Sequence, residues 1–109
     1  MTKYTKEYIG ILIKGYRERK DISHRKVSKL INISEEDMRE FEKGLGLGKL
    51  ISMQTGKPTR LFYTIAGLFA LDTAEILVLK TALCEVFHLA PPPPNGPRGE
   101  SLFTDDNIM

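Results

Sequence analysis

Tyr8, Ile9, Leu12, Ile13 and Tyr16 recur at the spacing of one helical face, which predicts an amphipathic helix from about Lys6 to Lys20. Thr5 stands where an N-cap belongs, and Tyr4 before it can staple onto Ile9. Gly10 and Gly15 interrupt this helix, each costing about 1 kcal/mol against alanine, so packing must supply its stability. Ser23 opens a second, short helix over 24–31 with Val27, Leu30 and Ile31 apolar, and Asn32 suits the left-handed residue of a tight turn. Ser34 then caps a third helix. Asp37 stands three residues on, Met38 and Phe41 face inward, and Gly44 ends the run.

The stretch from Gly44 through Gly56-Lys57-Pro58 has three closely spaced glycines and then a proline, so it reads as a loop holding at most one irregular turn. A fourth helix is expected over about 59–70. Asp72 caps a fifth over 73–88, with Glu75 at the matching box position. From 90 to 109 the four prolines Pro91 to Pro94, the Asn95-Gly96-Pro97 turn and an acidic end lack the apolar mass to fold alone, which predicts a flexible, disordered tail. The fold class expected is all-α, five helices in one domain followed by that tail.

A chain of 109 residues with 41% hydrophobic and 28% charged residues has the makings of one modest core. The longest uncharged apolar stretch, Leu61 to Leu71, spans eleven residues, too few to cross a bilayer. The N-terminal apolar run is broken by Lys14 and meets no small-residue cleavage site; with no membrane span, a cytoplasmic protein is expected. Net charge is only +2, but its distribution is uneven. Residues 1–34 hold nine bases and three acids, 35–42 hold five acids and one base, and 43–64 hold four bases and no acid. A basic N-terminal block is compatible with nucleic acid and equally with an ordinary solvated face.

Catalytic and cofactor chemistry finds little to work with. A phosphate loop ending at Gly56-Lys57 lacks its first glycine, since Ile51 stands there, and Pro58 takes the place of the magnesium-binding hydroxyl. The dinucleotide fingerprint fails at Lys49, where its third glycine belongs. Cys84 is the single cysteine, so no internal disulfide and no multi-cysteine zinc site can form. With His88 four residues on it can share a helical face, a buried thiol beside a surface histidine being the ordinary reading of the pair. No nucleophile, base and metal set assembles, so neither an enzyme nor a cofactor is expected.

The run Ile9-Gly10, Ile13, Arg17, Lys20, Ile22-Ser23, Val27-Ser28, Leu30-Ile31-Asn32-Ile33-Ser34, Met38, Phe41-Glu42-Lys43-Gly44 resembles, without a gap, the helix-turn-helix domain of phage-repressor and xenobiotic-response-element type regulators. Lys57-Pro58-Thr59, Ile65-Ala66, Phe69, Leu71-Asp72 and Glu75-Ile76 are similar to that family's fourth and fifth helices. The resemblance implies a lambda-repressor-like domain over 1–89 with its helix-turn-helix core at 9–44. It implies a transcriptional regulator of double-stranded DNA with helix three in the major groove, and an insertion at 45–56 where the family has a shorter join. The residues it brings to DNA are His24, Arg25 and Lys26 at the start of helix two, and Ser34, Glu35, Glu36, Arg39 and Lys43 on helix three.

Glu35, Glu36, Asp37 and Glu40 stand where the family faces base edges, and acids repel phosphate. They also complement the dipole of a helix N-terminus, and a glutamate can accept a hydrogen bond from cytosine N4. The alternative is a protein-interaction module that binds another regulatory protein through the acidic third helix or the apolar fifth. Ile76, Leu79, Leu83 and Phe87 belong to an apolar arc around half of helix five, wider than one core contact needs, so they are expected to form a homodimer interface.

Overall fold

In the computed structural model, which describes residues 4–89, all five predicted helices form, four of them beside their predicted caps and the fourth beside Thr59, expected as its first residue. The order is α1 (Lys6–Arg19), α2 (His24–Ile31), α3 (Glu35–Glu42), a 3-10 turn (Leu47–Lys49), α4 (Arg60–Leu68) and α5 (Thr73–Val86), so the fold is all-α. Thr5, Ser23 and Ser34 each accept a hydrogen bond from the backbone N–H three residues on, at 3.0, 3.1 and 2.9 Å. At Asp72 the full box closes: the Glu75 N–H donates to Asp72 at 2.8 Å, and the Asp72 N–H donates to the Glu75 carboxylate at 3.1 Å. Asn32 ends α2 at φ 58°, and Gly44 follows α3 at φ 83°. α4 and α5 end two residues short of their expected limits, because Ala70 and His88 take left-handed φ of 54° and 57°. The tail expected over 90–109 lies outside the described residues.

α1 is the central strut. One side packs on α3, where backbones nearly touch: a Cβ at Gly10 would overlap the Glu42 carbonyl, and one at Gly44 would overlap the Lys6 carbonyl. Gly10 therefore repays its helix-weakening cost by admitting α3. The other side of α1 runs along α5, tied by Arg19 to Glu75 at 2.5 Å and by the Tyr4 N–H to Glu85 at 2.7 Å. Ile9, Ile13, Val27, Met38, Phe41, Phe62 and Phe69 fill the shared interior at 0–1% exposure.

The segment 45–56 holds more than the one irregular turn expected of it, since a second turn, closed by the Gly56 N–H on Ser52 O at 2.8 Å, follows the 3-10 turn, and it is not a bare insertion. Leu47, Leu50 and Ile51 are buried in the same core, and the segment is pinned to the start of α4 by the Ile51–Pro58 bridge and a 3.0 Å bond from the Thr59 N–H to Leu50 O.

This covering corrects the expectation for helix five. Leu79 and Leu83 are 2% and 0% exposed within the chain's own core, so they are not open to a second copy, and Ile76 and Phe87 are half-buried against that core. α1 shields one flank, while on another the Cys84 thiol lies 3.5 Å from Gly56 O. The wide apolar arc is consumed internally, apart from Leu77 and Val78, which stay exposed. Cys84 is buried and His88 exposed beyond the end of α5, so they do not share a helical face.

Candidate nucleic-acid interface

The second and third helices are short, eight residues each, and are joined through the left-handed Asn32. Val27 on α2 and Met38 and Phe41 on α3 are buried, which turns the polar sides of both helices outward. The two helices pack directly on one another, and α3 also packs on α1.

A buried ionic cluster fixes this arrangement. The Glu42 side chain is 7% exposed and accepts from Arg17 through both oxygens, Nε at 2.5 Å and the guanidinium NH2 at 3.3 Å. Arg17 also donates to Ile22 O at 2.8 Å, in the turn between α1 and α2. His24 Nε2 lies 3.0 Å from Glu42 Oε1; a carboxylate can only accept, so that nitrogen carries the hydrogen. One carboxylate at the end of α3 thus holds α1, the following turn and the first residue of α2. His24, expected at DNA, is turned inward by this bond and keeps 25% side-chain exposure.

Ser34 is also committed, since its hydroxyl caps α3. Arg25 and Lys26 are exposed at the start of α2, with Lys29 exposed at its end. On α3, Arg39 donates to Glu35 at 3.0 Å, one helical turn away, while Glu36 and Lys43 are exposed and make no ion pair among the described residues. Asp37 takes Lys49 from the 3-10 turn at 3.3 Å. Of the five acids in α3, Glu35, Asp37 and Glu42 are therefore partnered by cations, and all three of Glu35, Glu36 and Asp37 lie in the first turn, where they oppose the positive helix end.

Lys14 joins His24, Arg39, Glu42 and Lys43 around an open cleft of about 270 Å³ where α1, α2 and α3 meet. Lys14, Arg17, Glu42 and Lys49 were not assigned to the site from sequence. Arg17 and Glu42 are separated by 25 residues, a distance at which no helical or turn spacing links them. Elsewhere, burial pushes the Cys84 thiol above its ordinary range, so it stays protonated and unreactive. Among the described residues no three His, Cys, Asp or Glu side chains converge to hold a metal ion, and no helix is long and apolar enough to cross a membrane.

No family model, no curated protein and no solved structure matches this chain.

Proposed function

We propose that this chain is a DNA-binding transcriptional regulator, related in architecture to the phage-repressor-like helix-turn-helix proteins, which lays α3 in the major groove and acts as a homodimer. The observation that carries the reading is the pairing pattern on α2 and α3. Three of the α3 acids are bound to cations, while Arg25, Lys26, Lys29 and Lys43 project from the two helices without an ion-pair partner among the described residues. Before Arg39 is exchanged, unpaired acid on α3 is thereby confined to Glu36 and Glu40, and the free cations are available for counterion release.

In this reading Arg25, Lys26 and Lys43 contact phosphates. Arg39 reaches a guanine by exchanging Glu35 for the base edge, and Glu36 sets discrimination in the groove. The exchange makes Arg39 a conditional reader, since an exposed pair one turn apart is worth only about 0.3–0.5 kcal/mol. Fluorescence anisotropy with a selected operator and a scrambled duplex tests the assignment. Lys43→Ala should weaken both alike, while Glu36→Gln should strengthen the scrambled duplex and narrow the gap between them. A Glu36→Gln variant that loses capture of a regulatory protein, with no DNA signal before or after, would favour an interaction module instead.

A further inference from the structure

α1 presents one ridge that nothing among the described residues covers. Ile9 and Ile13 point into the core, and at 100° per residue Ile11 lies half a turn away from both. It is 63% exposed, more than any other described large apolar side chain, and Tyr8 beside it is 43% exposed. Gly15, one turn further on, has open space where a Cβ would stand. Unlike Gly10, it gains no close contact among the described residues for the stability it costs. Glu7 and Lys14 flank Ile11 on the same ridge, and neither makes an ion pair among the described residues.

These positions are complementary to themselves when reversed. We propose that two copies of the chain associate through α1, antiparallel, with the two-fold axis at Ile11. In that register Ile11 packs on the partner's Ile11. Glu7 falls within reach of the partner's Lys14, on the same side of the ridge, so that two identical salt bridges frame one apolar contact. On the other side Gly15 faces the partner's Tyr8 and leaves room for its ring. Val78 adds to the face: on one stripe of α5, Glu75 bonds to Arg19 at the end of α1 and Glu85 to the Tyr4 N–H just before its start, which places the 37% exposed Val78 between them along the α1–α5 seam. α1 is braced on α3 and α5, so the ridge meets its copy without rearrangement. The inference deepens the homodimer of the proposed function and moves its interface from Leu79 and Leu83 to the outside of α1.

Charge reversal distinguishes this register from any other. Sedimentation equilibrium of the full chain should show a dimer. Glu7→Lys alone and Lys14→Glu alone should each raise its dissociation constant by at least about tenfold, through like-charge juxtaposition in both copies. The double reversal should restore it to within about threefold, because the pairs re-form with opposite polarity. Ile11→Glu should give a monomer whose helicity matches wild type, since the side chain carries no core contact. Wild type that sediments as a monomer at high concentration would overturn the inference, and so would a double reversal as weak as the single ones. Wild type titrated with DNA keeps the two claims apart: a dimer that behaves as described but binds no duplex upholds this interface and rejects the DNA reading.

Discussion

Glu42 ties the first three helices together at once, through Arg17 and His24. Arg17 and Glu42 are 11% and 7% exposed, so removing one leaves the other charged in a poorly hydrated site. Arg17→Met should cost about 3–5 kcal/mol, and urea denaturation would register it as a lower midpoint at unchanged slope. An exposed pair such as Arg39–Glu35 would show almost none of this loss. Gly10→Ala should also destabilise despite alanine's better helix propensity, since its methyl group meets Glu42 backbone that cannot move without shifting α3. A melting temperature at or above wild type for this variant would contradict the close α1–α3 crossing. Both residues stood in the motif that suggested the fold, but their partners did not follow from spacing. A contact spanning 25 residues depends on how helices cross, which periodicity leaves open.

Helices were legible where their signals are local. Ser23, Ser34, Thr5 and Asp72 bond to backbone three residues away, so the identity of one side chain and its offset suffice to set a helix start. Segment 45–56 was harder to read. Its glycines mark turns correctly, yet Leu47, Leu50 and Ile51 have no period, and only the completed core shows that they belong to it. Helix five misled for a related reason: an apolar arc tells how much surface must be covered, not whether α1, the 45–58 segment or a second copy covers it. At the start of α5, Glu75 holds its charge below the usual carboxylate range, first through its hydrogen bond from Arg19 and then through the Asp72 N–H. A depressed acid stabilises the fold above the unfolded value of about 4.3 and loses that contribution as pH falls through its lower folded value. Glu75→Gln should therefore be less stable than wild type near neutral pH, with the difference shrinking below about pH 4. Thermal melts across that range measure it, and a gap that stayed constant with pH would show that the bridge and box carry no charge-dependent stability.

At the scale of the molecule, the charges divide the surface into distinct regions. A basic face built from α2 and the end of α3 adjoins a first turn of α3 whose acids are mostly paired, and the outer ridge of α1, with its own alternation of sign, meets that face at Lys14. The net charge of +2 conceals this, because the pairs that neutralise α3 come from its own second turn, from the 3-10 segment and from α1. Whether the face binds duplex is the claim on which the account turns, and a salt titration against a fragmented genomic pool and a random-sequence duplex measures it directly. The account predicts binding at low salt that weakens linearly in log–log form, with a slope of about −3 per subunit for three phosphate-contacting cations, about one unit shallower for Lys43→Ala, and retention of particular genomic fragments as salt rises. Wild-type protein that binds neither pool at low salt would contradict it.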